Sequence, residues 1–151
     1  MSRKFSFRLE PVRAIRERAE DRAKEDFAVS LGNRRRGSLL LDEAEASLGE
    51  ARTGARSTAT GVPSGSDLLA RQSYLERAER AARAAAQDLV RHDSEVDARR
   101  IALASAARDR QVLERLKERR AAEHGALMDR LEGAALDEMA LAVHRRADTG
   151  R

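Results

Sequence analysis

The chain contains two prolines, Pro11 and Pro63, and none from Ser64 to its end. Along that second stretch a seven-residue step catches Leu68, Leu75, Ala82, Leu89, Val96 and Leu103, and a companion track carries Ala78, Ala85, His92, Arg99, Ala106 and Leu113. Apolar side chains repeating every 3.5 residues stay on one stripe of a helix, and a sustained stripe of this kind specifies a coiled coil. After Leu103 the stripe changes phase and runs through Leu113, Leu116, Arg120, Leu127, Leu131 and Ala134. Such a shift alters supercoiling locally without ending the helix. Composition agrees: 37% of the residues are charged and only 3% aromatic, too few large side chains for a thick core. A composition rich in alanine, leucine, arginine and glutamate, with this period, is that of long helices.

The first half repeats the pattern. Pro11 suits the opening turn of a helix, where its missing N–H has no partner to lose. Val12, Ile15, Ala19, Ala23, Phe27 and Leu31 then recur at steps of three or four, one helical face. The pattern weakens from Gly32 to Ser38 and resumes with Leu41, Ala44, Leu48, Ala51 and Ala55. A helix over about 11–57 is expected, loosened near Gly32 and Gly37, each of which disfavours helix by ~1 kcal/mol. Small, turn-forming residues fill 58–66 around Pro63, and Ser66 or Asp67 is the expected N-cap of a second helix over about 67–146.

Two long amphipathic helices joined by a short turn predict an all-α fold. The expectation is a two-helix antiparallel coiled-coil hairpin forming a single domain over 1–151. At ~1.5 Å per residue the first helix reaches ~70 Å and the second ~120 Å. Folding about Val62 sets Pro11 opposite Leu113, so the last part of the second helix projects past the first. That overhang carries Leu127, Leu131, Leu136, Met139 and Val143, and exposed apolar helix surface marks a partner site.

Chemistry-bearing patterns are scarce. His92, His124 and His144 are widely spaced and lack companions at zinc-ligand spacing; His92 and His124 read as polar interruptions of the seam. Gly32–Ser38 echoes a phosphate-binding loop, but lacks the lysine and follows no strand. The carboxylates lie three or four residues from arginines, where they support a helix. A two-helix hairpin has no water-excluding pocket for catalysis. No enzyme activity, cofactor or metal is therefore expected. With no cysteine, disulfides and thiolate metal sites are ruled out. No apolar run approaches the ~20 residues of a membrane span, and no signal peptide is read in MSRKFSFRLEPV. A soluble, intracellular protein is expected. The net charge of +4 is modest and interspersed, and Arg34-Arg35-Arg36 is a short basic cluster without an aromatic platform. No nucleic-acid partner is expected.

Two ends of the chain carry more specific patterns. Phe5-Ser6-Phe7-Arg8-Leu9-Glu10-Pro11-Val12, followed by Ile15-Arg16-Glu17, resembles the opening of the flagellar export protein FliJ family. The segments Val112–Arg120 (VLERLKERR) and Leu136-Asp137-Glu138-Met139-Ala140 resemble that family's C-terminal helix, and Gln72–Ala78 sits at its aromatic-plus-leucine step. Arg13 departs from the pattern, standing where the family commonly has leucine.

The resemblance implies a non-enzymatic stalk and coupling component of flagellar type III protein export, in the cytoplasm and peripheral to the cell membrane. The implied partners are the hexameric export ATPase FliI, the export-gate protein FlhA and export chaperones. By analogy the ATPase ring would meet Phe5, Phe7, Leu116, Leu127, Leu131, Leu136 and Met139. The gate would meet Gln72, Tyr74, Leu75, Ala78 and Ala81. Leu75 and Ala78 also lie on the heptad seam, which leaves them open to a packing role; Tyr74 lies off it and is the preferred exposed anchor. A generic structural coiled coil, or the equivalent stalk of a virulence-type secretion system, is the alternative. The Phe-x-Phe pair reads first as a clasp of the two termini, with Phe7 or Leu9 packing back as a hydrophobic staple, and second as part of the surface offered to the ring.

Overall fold

The computed structural model describes residues 4–56 and 62–149. It is an all-α helical hairpin of two long helices, α1 (Glu10–Arg56) and α2 (Gly65–Thr149), with no strand among the described residues. Residues 58–61 of the expected turn lie outside the described residues, and Gly65 and Ser66 already belong to α2.

Both helix starts follow from local hydrogen bonding. The Glu10 amide donates to the Phe7 carbonyl at 3.0 Å, closing a turn, and the Arg13 amide donates to the Leu9 carbonyl at 2.9 Å. Pro11 is thus the second residue of α1, where no acceptor is lost. At α2 the N-cap is Ser64 rather than Ser66 or Asp67. Its hydroxyl accepts from the Asp67 amide at 3.2 Å, while the Asp67 carboxylate accepts from the Ser64 amide at 3.1 Å. This reciprocal pair is a capping box, and the Ser64 hydrogen bonds hold the Asp67 carboxyl below its usual range.

The chain divides into two compact units. The unit Asp21–Ser105 packs α1 antiparallel to α2: Asp26 pairs with Arg99, Arg34 with Asp93 and Arg52 with Glu79. Its seam is narrow and made of small residues. Ala51, Ala78, Ala82 and Val96 are its buried apolar side chains, flanked by half-buried Leu41, Leu48, Leu75 and Leu89. Ser30 is also buried, its hydroxyl donating to the Phe27 carbonyl at 2.7 Å. α1 runs unbroken through Gly32–Ser38, against the expected loosening. Gly37 has a packing reason to lack a side chain: a Cβ there would meet His92 Cδ2 at 2.9 Å. His92 fills the space a bulkier residue 37 would take.

The second unit, Met1–Glu20 with Ala106–Arg151, departs from the expected stripe. Ile15 and Ala19 are exposed, and the α1 face turned to α2 carries Arg13 and Glu20. Glu20 is only 6% exposed and receives a hydrogen bond from Arg110 Nε. Arg13 bonds Glu10, Glu17 and Glu114 of both helices, and Lys117 pairs with Glu10 at 3.0 Å. Charged side chains occupy this seam because their stems pack while their heads pair. The Lys117–Glu10 contact places Pro11 near Leu116, about one helical turn from the expected Leu113.

Candidate partner-binding surfaces

Residues 4–9 form a strap ahead of α1. Phe5 and Phe7 are half-buried, and the Phe5 ring lies 5.7 Å from that of His124, tilted by 56°. Strap and α2 border an open groove of about 850 Å³, lined on the helix side by Leu116, Arg120, Glu123, His124 and Leu127. Four of the seven residues anticipated for the ATPase ring, Phe5, Phe7, Leu116 and Leu127, are thereby brought together. Leu131, Leu136 and Met139 lie farther along α2, exposed and outside that groove.

Electrostatics stiffen the base of the strap. Hydrogen bonds from Arg13 and then Lys117 hold the Glu10 carboxyl below its usual range, and the same carboxylate, with Glu114, raises the Arg13 pKa. The bond to Glu20 likewise raises that of Arg110. These pairs tie the first three turns of α1, from Glu10 to Glu20, to α2 by charge.

The residues anticipated for the export gate divide by burial. Ala78 is 7% exposed and Leu75 half-buried, both serving the packing between helices. Gln72, Tyr74 and Ala81 are exposed; Gln72 donates to Glu76 at 2.8 Å, and Tyr74 is 45% exposed. Tyr74 and Ala81, seven residues apart, share one side of α2. Ala81 also lines a groove of about 490 Å³ with Ala84, Ala85 and Asp88 of α2 and Leu40, Glu43 and Ser47 of α1. The α1 wall of this groove was not anticipated from the heptads, because Leu40 and Glu43 lie beside the seam rather than on it.

Among the described residues no group of three or more His, Cys, Asp or Glu side chains is arranged to hold a metal ion. No helix among them is long and apolar enough to cross a membrane. No curated protein and no solved structure gives a significant match. The family described as Flagellar FliJ protein matches residues 5–149, nearly the whole chain. A helical hairpin, with the Phe-x-Phe strap and the VLERLKERR segment at one end of it, thus belongs to the FliJ family of flagellar export components.

Proposed function

We propose that this protein is the non-enzymatic stalk and coupling component of the flagellar type III export apparatus. It works in the cytoplasm at the flagellar base, peripheral to the membrane, and so serves motility and chemotaxis. The end bearing Phe5, Phe7, Leu116, Leu127, Leu131, Leu136 and Met139 meets the ring of the export ATPase FliI. The exposed side of α2 around Gln72, Tyr74 and Ala81 meets the export gate FlhA, with Leu75 and Ala78 supporting that surface from the seam. Export chaperones are further partners.

The observation that carries this reading is the unpaired end of α2. Past Lys117 it has no α1 residue beside it, since α1 begins at Glu10, and Leu127, Leu131, Leu136 and Met139 are exposed there. A single helix with exposed apolar side chains fits the central hole of a ring. The test is ATP turnover and ring assembly of the cognate export ATPase, both expected to rise on addition of the protein. If neither changes at saturating protein, the stalk role is wrong. Tyr74→Ala is expected to weaken gate binding with helicity and thermal unfolding intact; unchanged gate affinity would remove Tyr74 from the surface.

A further inference from the structure

The end of α2 beyond Lys117 contains a pattern that α1 does not cover and that the strap meets only at its start, where Phe5 lies against His124. Arg120, His124, Leu127, Leu131, Ala134 and Glu138 follow alternating steps of four and three, the a/d spacing of a coiled coil. Leu141 continues it. Leu127, Leu131 and Leu141 are 54–56% exposed, and Arg120, Ala134 and Glu138 are exposed. Arg120, His124 and Leu127 line the groove beside the strap, and the groove is left open. Most helical stability in proteins comes from packing an amphipathic face, and this face has no helix against it within the chain.

We propose that two copies of this chain pair antiparallel through this stretch of α2, each placing its overhang in the groove beside the other's strap. In antiparallel register Leu127 of one copy meets Leu131 of the other, His124 meets Ala134, and Arg120, which also bonds Glu123 of its own helix at 3.0 Å, meets Glu138. A two-fold axis at Asp129 repeats each contact, so the assembly closes at two copies. The charges select this arrangement. Parallel pairing would set Arg120 against Arg120 and Glu138 against Glu138, whereas antiparallel pairing joins opposite charges twice. The strap adds to the match: Lys4 and Arg8 border the groove without a carboxylate partner among the described residues, and the overhang brings Asp137 and Glu138. The register from Lys117 to Leu141 covers about three and a half heptads, a length at which coiled-coil patterns become specific. The pairing covers Leu127 and Leu131, which the stalk reading offers to the ring, so the dimer and the ring-bound chain are alternative states of one surface, and the mass measured without the ATPase tests the dimer alone.

The experiment is the mass of the full-length protein in solution, by light scattering across the micromolar range. The expected result is twice the 16.7 kDa of one chain. Arg120→Glu and Glu138→Arg each set like charges at both contacts and are expected to weaken self-association about tenfold or more. An equimolar mixture of the two variants restores opposite charges at both contacts and recovers the dimer. Because the chain has no cysteine, orientation is read by oxidising chains carrying His124→Cys, Ala134→Cys, or both kinds mixed. Antiparallel pairing crosslinks the mixture and neither variant alone. Circular dichroism checks that each variant keeps its helix content. A monomer throughout the range overturns the proposal, as does a dimer indifferent to both charge variants. So does a crosslink within either cysteine variant alone, or an overhang that binds a different protein but not its own copy.

Discussion

Replacing Gly37 by alanine sets two effects of opposite sign against each other. In an open helical position the change stabilises by ~1 kcal/mol, because glycine disfavours helix by that amount. At Gly37 the new methyl would stand 2.9 Å from His92 Cδ2, 3.6 Å from its Nε2 and 3.7 Å from Leu89 Cδ1. The imidazole turns about only two bonds and is itself half-buried, so it yields only with its neighbours. Overpacking of this kind costs about 1–3 kcal/mol, and the net result is a change from near zero to about 2 kcal/mol of destabilisation. In a His92→Ala background the obstruction is gone, and Gly37→Ala is expected to stabilise by ~1 kcal/mol. Gly49, with nothing within 4 Å of a built Cβ, is the control; Gly49→Ala is expected to gain up to ~1 kcal/mol. Urea and thermal unfolding followed by helical circular dichroism measure the wild type and the four variants, and each kcal/mol moves Tm by about 2–4 °C at this length. If Gly37→Ala stabilises the wild-type chain as much as Gly49→Ala does, the close approach of His92 to α1 is wrong.

Three further outcomes are expected. Glu20→Ala, which leaves Arg110 without its buried carboxylate, lowers Tm more than Glu25→Ala on the exposed surface; equal shifts would deny the pair a role in the seam. Phe5→Ala and Phe7→Ala each cost up to about 1–2 kcal/mol, a fraction of full aromatic burial, and speed hydrogen exchange in the first turns of α1. Unchanged exchange would make the pair a partner contact rather than a clasp. The third concerns pH. Glu10 is held below its unfolded value by Arg13 and Lys117, so its contribution is present above the ordinary carboxylate range and is lost as pH falls through the lowered folded value. Tm is expected to fall on acidification, and Glu10→Gln is expected to flatten the part of that fall due to this carboxyl. An identical pH profile in the variant would dismiss the Glu10 contribution.

The heptads from Leu75 to Leu103 were legible because small and branched apolar residues keep step with the seam there. Ala78, Ala82 and Val96 are buried where the step places them, although Leu68, which begins the same track, is exposed. The first turns of α1 were not legible. Val12, Ile15 and Ala19 make a convincing apolar stripe, yet Arg13 and Glu20 hold the inner face, since paired long side chains fill a seam without showing as hydrophobic period. The Ser64–Asp67 capping box stands in the sequence as Ser-x-x-Asp, but Ser66 and Asp67 lie nearer the apolar run and mask it. Gly37 looked like a weakness because its value depends on His92, far away in sequence. The same limit applied to the surfaces: Tyr74 was identified as an off-seam aromatic, whereas the α1 wall beside Ala81 emerges only when the two helices are brought together.

The small-residue seam also sets how this protein responds to temperature. No large side chain is fully buried among the described residues; the buried apolar side chains are three alanines and a valine. The heat-capacity change on unfolding follows the apolar surface newly exposed to water, ordinarily about 12–15 cal/mol/K per residue. A chain that hides so little of that surface has a smaller change, and hence a stability curve with a broad, shallow top. Its enthalpy of unfolding then varies little with temperature, so cold weakens it as gently as moderate warmth does.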